Sequence, residues 1–283
     1  MPSKSSSRFV IIEEVSRFLI GILIGIPLGA YAYKKSYLEK KAAVLSILFS
    51  GVYLLAGVGV YITSLFFFFS SSTLTRFNFG YKRSIGASEK ESGRSLAQVI
   101  GAGGVAALLS VLYVFSPHNI GNALLVGVYV AIASSNADTW AAEIGSLSKS
   151  KPRLITRPSQ VVEAGTSGGV TMLGTFGSLL GSFLTAAVAM VISIVEHPTL
   201  AKIEIFSVIF ILGWLGEVVD SLVGATLQVK YYCPKCNTLT DKRIHGCGSE
   251  TIHVSGYTYI TNEVTNIIAT SVVSIAAIAL ELL

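Results

Sequence analysis

The sequence predicts an all-α fold: a polytopic transmembrane helical bundle of about seven spans with a cytoplasmic N-terminus. Three observations predict it. Hydrophobic residues make up 52% of the 283 residues and charged ones only 13%, whereas a soluble chain carries about 25% charged residues. Mean hydropathy is +0.66. Several apolar runs reach the ~20 residues needed to cross ~30 Å of hydrocarbon. Dominance of aliphatic and aromatic residues excludes disorder. The 3 cysteines, all between 233 and 247, cannot be a disulfide framework for a chain this size. A net charge of +5 would suggest nucleic acid in a soluble protein. In a membrane protein it reports loop placement instead, and no nucleic-acid partner is expected. The chain reads as a single integral membrane domain over 1–283, with a cytoplasmic Cys/His loop at 229–258.

The expected spans, in order, are 18–33, 42–69, 95–115, 120–138, 166–195, 203–226 and 264–283. The first is short and contains Pro27; the second is long, with Gly57 and Gly59 in its middle. Each lone apolar segment must satisfy its backbone hydrogen bonds internally, so helices are expected. With seven crossings, most Lys and Arg fall on one side, in residues 1–17, 70–94, 139–165 and 227–263. Basic-rich short loops stay in the cytoplasm, which places the N-terminus inside. The lysines of 34–41 contradict that count, as they would if the second span were bent or the first did not cross. Residues 1–33 also carry a signal-like pattern ending in Ala30-Tyr31-Ala32; an uncleaved first span is the favoured reading. The expected home is the plasma membrane of a prokaryote.

Charged groups within a bilayer are costly and generally have a partner or a task. Asp138, Glu143, Glu217 and Asp220 stand at the inner ends of otherwise apolar spans. On a wheel of about 100° per residue, Gly213, Glu217, Asp220, Gly224 and Gln228 share one face. Asn136, Thr139 and Glu143 share another, with Asp138 directed away beside Ser134. Hard oxygen ligands of this kind suit Mg²⁺. The plainer readings are a polar seam between helices or a solvated helix end.

Anion-binding groups are expected nearby. Gly165-Thr166-Ser167-Gly168-Gly169 opens the fifth span, and a Gly/Ser/Thr turn at a helix N-terminus presents free N–H groups. It lacks the spacing and lysine of a Walker loop. The preceding loop carries Lys149, Lys151, Arg153 and Arg157; the earlier one carries Arg76, Lys82, Arg83 and Arg94. Any one of these can equally be ordinary positive-inside charge. Asn262 and Asn266 add carboxamides one turn apart. Cys233, Cys236 and Cys247 with His245, or less favourably His253, form a candidate structural zinc set. A cytoplasmic location favours metal over disulfide; the competing reading is three reduced thiols in a mobile loop.

These segments resemble the transmembrane protein 19 family of polytopic proteins, which includes the plant phytyl-phosphate kinase of vitamin E synthesis. The resemblance is carried by SSSTLTRF (70–77), Glu91-Ser92-Gly93-Arg94 with Gln98-Val99, SSNADTWAAEIG (134–145) and PRLIT (152–156). GTSGGVTMLGTFGSLLGS (165–182), GEVVDSLVGATLQ (216–228) and TNEVTN (261–266) complete it. It implies a membrane-embedded prenyl-phosphate kinase that moves a phosphoryl group from a nucleoside triphosphate, CTP or ATP, to a prenyl or phytyl monophosphate. Asp138 and Asp220 would hold Mg²⁺, with Glu217 and Glu143 as ligands or neighbours and Asn136 beside them. Arg94, Arg153 and Arg157, the 165–169 turn, Asn262 and Asn266 would hold substrate. The family says little about zinc. The alternatives are a lipid or ion transporter or flippase, a CDP-lipid-forming cytidylyltransferase, or a noncatalytic scaffold. Prenyl chain length, nucleotide and oligomeric state are not written in these motifs.

Overall fold

A computed structural model of the chain describes residues 4–87, 93–241 and 243–283. Glu91 and Ser92 of the motif before Arg94 lie outside the described residues. Helices α1 (Lys4–Lys34) and α2 (Lys40–Ala56) form an antiparallel pair. They lie close because Gly25 and Gly29 share one face of α1: a Cβ on either would come within 2.8 Å of Ser50 or Ile47 on α2. In lipid, apolar area gives no preference for protein neighbours, so this close packing is what associates helices.

The run 42–69 is two helices, not one long span. It breaks at Gly57, whose φ of 142° disfavours any side chain, and restarts as α3 (Val58–Arg76). Glu196 accepts hydrogen bonds there from the N–H groups of Val58 and Gly59. A carboxylate thus caps amides that the first turn of α3 leaves unpaired. The break reverses the chain, and this resolves the lysine conflict. Arg94 donates its N–H to the Tyr37 carbonyl, and Glu39 donates to that of Arg94. Arg76 donates to the carbonyls of Lys35 and Ser36. Lys34, Lys35, Lys40 and Lys41 therefore lie at the same end as the other basic loops. Arg17 lies at the opposite end, where it interacts with Tyr113. The expected orientation of the first helix relative to the later ones is thereby reversed: α1 begins at the end away from Arg94. Of the described basic residues, only Lys4, Arg8, Arg17 and Lys202 belong to that far end. The positive-inside rule then makes the Arg94 end cytoplasmic and sets the start of α1 across the membrane from it.

Among the described residues, seven helices are long and apolar enough to cross a membrane: residues 13–34, 58–76, 96–114, 119–145, 172–196, 203–226 and 262–282. Helix α2, with 17 residues, runs about 25 Å at 1.5 Å per residue and lies alongside α1. A short α4 (Phe79–Ser84) follows α3. Helix α5 (Leu96–Val114) opens with a capping box, in which Ser95 and Gln98 satisfy each other's backbone N–H groups. Helix α6 (His118–Gly145) is the centre of the bundle, enclosed by α3, α5, α7 (Met172–Glu196), α8 (Ile203–Thr226) and α9 (Asn262–Leu282). Residues from Leu125 to Ala133 have almost no exposed surface where the structure reports them. Small and β-branched side chains on every side of α6 allow it to be surrounded by other helices.

Two small antiparallel sheets cover the cytoplasmic end. The first is ordered β2 (Arg157–Val161), β1 (Arg153–Leu154), β3 (Gly169–Val170). The second is ordered β5 (Thr238–Thr240), β4 (Lys230–Cys233), β6 (Ile252–Ser255).

Candidate functional site

A polar cavity opens at the cytoplasmic end, with about 1530 Å³ of atom-free space including its mouth. The C-terminal ends of α3 and α6 and the N-terminal ends of α5 and α9 converge on it. Its lining includes Arg76, Arg94, Asp138, Glu143, Gly165, Asn262 and Asn266. Asp138 stands seven residues before the end of α6, about 10 Å in from that end and about 30 Å from the other.

Arg94 enters the cavity from a fixed backbone. Its own N–H and C=O are both engaged with the 37–39 segment, and the capping box begins at the next residue. Gly93 makes this geometry possible: its φ is 91°, and a Cβ there would lie 2.6 Å from the Tyr37 carbonyl carbon. The guanidinium attracts both Glu143 and Asp138; burial pulls its pKa down and those two carboxylates oppose the shift.

Glu143 already has protein partners. It accepts from Thr75 Oγ1 at 2.6 Å and from Lys82 Nζ at 2.7 Å. Lys82 is 1% exposed and also donates to the Leu74 carbonyl. The sequence grouped Lys82 with phosphate-binding cations; it instead ties α4 to the ends of α3 and α6. Arg76 serves the α1 carbonyls and lies over the rings of Tyr37 and Phe79.

Glu217 and Asp220 are buried on α8, behind the cavity wall. Asn266, with its amide nitrogen turned toward α8, donates to Asp220 Oδ1 at 2.8 Å, and Ser221 donates to Glu217. Asp138 interacts electrostatically with Glu217 and Asp220. Three carboxylates from two helices therefore repel one another, with Arg94 facing Asp138. Like charges this close stay together only with compensating cations or protons. Carboxylate oxygens are the donors Mg²⁺ takes, one or two at a time with water and phosphate. Asp138, Glu217 and Asp220 are nevertheless not a preassembled ligand set: among the described residues, three or more ligand atoms come together only in the Cys/His group.

Other expected residues are placed elsewhere. Asn136 is fully buried in the helix core: it accepts from Ser71 and donates to Thr185 and Gly181, joining α3, α6 and α7. Arg153 and Arg157 are exposed on the β1–β2 hairpin, where Arg153 donates to the Pro158 carbonyl. Neither is part of the cavity lining. Within the glycine turn, Gly165 lines the cavity, but the Ser167 N–H donates to Asp241. Asp241 also accepts from Gln228, and Lys230 donates to the Ser167 carbonyl. Burial lowers the Lys230 pKa and Asp241 counters it. Gly168, at φ 76°, packs on α8: a Cβ there would lie 2.6 Å from that of Ala225. Thr166 is buried and Gly169 joins β3. An anion does sit on this turn, and it is the protein's own carboxylate.

Cys233, Cys236, His245 and Cys247 come together, with one ligand atom from each all within 4.8 Å of one another. Cys233 and Cys247 sulfurs are 3.8 Å apart, and His245 Nδ1 is 3.2 Å from Cys247 Sγ. Hydrogen bonds from Ser249 and then His245 bring the Cys247 thiol down to about 5. Contact with Cys247 pushes Cys236 up to about 11. The other ring nitrogen of His245 meets Glu163 at 3.2 Å, the outer carboxylate that commonly orients a zinc-bound imidazole. Hydrogen bonds to Cys247 and Glu163 raise the His245 pKa. His253 is not in this group; it bonds to the Gly256 carbonyl and packs against Tyr231.

Sequence reasoning missed Thr75, Asp241 and Glu163. Thr75 stands in the hydroxyl-rich SSSTLT run, which was a usable signal. Asp241 and Glu163 are loop acids whose partners lie 74 and 82 residues away, so no local pattern marks them.

Among curated proteins, Protein PGR of Arabidopsis thaliana is 27% identical over 270 residues, covering 89% of this chain and 92% of that protein. An uncharacterized membrane protein of Methanocaldococcus jannaschii is 31% identical over 219 residues, covering 77% of this chain and 86% of its own. Protein VTE6, chloroplastic, also of Arabidopsis thaliana, is 26% identical over 219 residues, with 76% and 56% covered. No solved structure matches. The description "Integral membrane protein DUF92" fits residues 23–274. This multi-pass protein belongs to the DUF92 family of integral membrane proteins.

Proposed function

We propose that the protein is a membrane-embedded kinase that transfers a phosphoryl group from a nucleoside triphosphate, CTP or ATP, to a prenyl or phytyl monophosphate. The observation that carries this reading is that Arg94, Asp138 and Glu143 line one cavity, with the Arg94 charge interacting with both carboxylates and Asp138 with Glu217 and Asp220 on α8. Likeness to VTE6 and the motif resemblance at 134–145 and 216–228 support the substrate class. A non-bridging oxygen of the monophosphate attacks the γ-phosphorus. A new P–O bond forms, the bond from the γ-phosphorus to the oxygen bridging to the β-phosphate breaks, and that oxygen leaves with the electron pair on the nucleoside diphosphate. The acceptor is already an anion, so no strong base is required. Arg94 neutralises phosphoryl charge and Asn262 offers an amide donor, while the Asn266 amide is engaged with Asp220 and the Asn262 carbonyl. Asp138, Asp220 and Glu217 would hold Mg²⁺, which would supply neutralisation of phosphate charge. The cysteine cluster would hold a structural zinc that orders the 229–258 loop; a closed tetrahedral site performs no chemistry.

The cavity lined by Asp138, Glu143 and Arg94 opens at one end of the bundle, which favours an enzyme over a transporter, whose sites lie near the bilayer midplane. The test incubates purified protein in detergent with phytyl or geranylgeranyl phosphate, Mg²⁺ and ATP or CTP. Prenyl diphosphate with nucleoside diphosphate is the expected product pair. Release of pyrophosphate would indicate a cytidylyltransferase instead. Asp138→Asn that folds normally and keeps full activity refutes the metal assignment.

A further inference from the structure

A second cavity adjoins the first. It lies between α1, α2, α3 and α5, with about 810 Å³ of atom-free space including its open side, and shares Arg94 and Ala102 with the polar cavity. Its walls are chemically unlike those of its neighbour. Apolar side chains such as Leu28, Phe49, Leu65 and Phe67 dominate. The hydroxyls in the wall are already engaged with protein. Ser46, Ser64 and Ser50 donate to the carbonyls of Ala43, Tyr61 and Gly21. Tyr53 donates to Gly103, and Tyr61 meets Ser50. A sugar or base would find no free donors among these groups, whereas a hydrocarbon leaves none of them unsatisfied. Arg94 is the charged residue of the lining and stands at the junction with the polar cavity. A ligand that fills both spaces has an anionic head and an apolar tail.

We infer that this slot is the tail-binding site of a single-chain lipid phosphate whose head lies at Arg94, and that its wall sets substrate chain length. The inference rests on the proposed activity for the identity of the head group. From Leu96 to Gly103 is seven residues, about 10 Å along α5. The Tyr53–Gly103 hydrogen bond of 2.9 Å crosses the slot wall at that level. A tail longer than the slot must leave through its open side into lipid. Gly103 is a control point on α5: a Cβ there would come within 2.9 Å of both the Phe49 ring and the Tyr53 hydroxyl.

The test has two arms on the full-length protein. In the first, a geranylgeranyl phosphate carrying a diazirine on its tail is photolysed on the unmodified protein, and the labelled peptides are mapped. Label on α2 and α3 around Phe49 and Leu65 is expected. In the second, Gly103→Leu is compared with the unmodified protein, using geranylgeranyl phosphate and the one-unit dimethylallyl phosphate. The KM for the long substrate should rise at least tenfold, with the KM for nucleotide and for the short substrate unchanged. Leu65→Trp narrows the same slot from α3 and covers the case in which Gly103→Leu does not fold. Turnover with label confined to other helices, or folded variants with unchanged long-chain KM, overturns the slot and leaves the kinase standing. Label in the slot with no turnover on any triphosphate overturns the kinase and leaves the slot.

Discussion

Asn266 of α9 donates its amide to Asp220 of α8 at 2.8 Å, and the same Asn266 lines the cavity that Asp138 faces. One neutral side chain thus links the Asp220 carboxylate of α8 to the cavity lined by Asp138. Groups that hold and orient metal-binding carboxylates are generally worth about 10–100-fold in affinity or activity. Asn266→Ala should therefore lower kinase activity by about that factor and raise the Mg²⁺ needed for half-maximal rate, with little change in thermal stability. An unchanged Mg²⁺ dependence would assign Asn266 to helix packing alone.

The Lys82–Glu143 pair, at 2.7 Å with Lys82 almost without exposed surface, predicts an asymmetric mutant cycle. Removing one partner of a buried pair strands the other and costs about 3–5 kcal/mol. Lys82→Met alone should be strongly destabilising in detergent unfolding assays. Lys82→Met combined with Glu143→Leu should recover most of that loss. A double variant as unstable as the sum of the two single changes would show that the residues are not coupled.

The carboxylate of Glu196 caps α3 across the break at Gly57, far from the cavity. Glu196→Ala should reduce stability by about 1–2 kcal/mol, the upper range for losing a helix cap. Kinetic constants per folded molecule should be unaltered. A selective loss of kcat without a shift in Tm would contradict this purely structural role.

Zinc binding is testable without any activity. The protein should purify with one zinc per chain by elemental analysis. Cys236→Ser and Cys247→Ser should abolish it, and His253→Ala should retain it. Glu163→Ala should weaken zinc affinity by about 10–100-fold in chelator competition, because it orients His245 through the second ring nitrogen. Chelation should expose residues 233–253 to protease. A metal-free preparation whose loop is equally protease-resistant would remove the metal from the account.

Helix content, the crossing segments and the acidic residues were legible because hydropathy and residue type are local properties. Any 20-residue window of α7 or α9 reports its own preference for lipid. Asp138, Glu143, Asn262 and Asn266 could be selected on chemistry alone, since charge and carboxamides are scarce in apolar helices. Local patterns could not reveal partners. The 100° step per residue put Asn136 and Asp138 on different faces, but did not show that the Asn136 face turns into the core against Ser71 and Thr185. Lys82 looked like a phosphate ligand until α4 folded it onto Glu143. Ser167 looked like an anion site, which it is, but Asp241 from 74 residues later is its anion.

By itself, then, the sequence determined that this is a polytopic helical membrane protein and which scarce charged and carboxamide side chains its apolar helices carry. Tertiary structure decided that Gly57 turns the chain back, which places Lys34–Lys41 with the other cytoplasmic lysines and reverses α1. It also decided which charges serve the cavity and which hold helices together. The physical reason is that transfer into lipid is a property of each segment, whereas pairing and orientation are properties of groups brought together by packing across long stretches of chain.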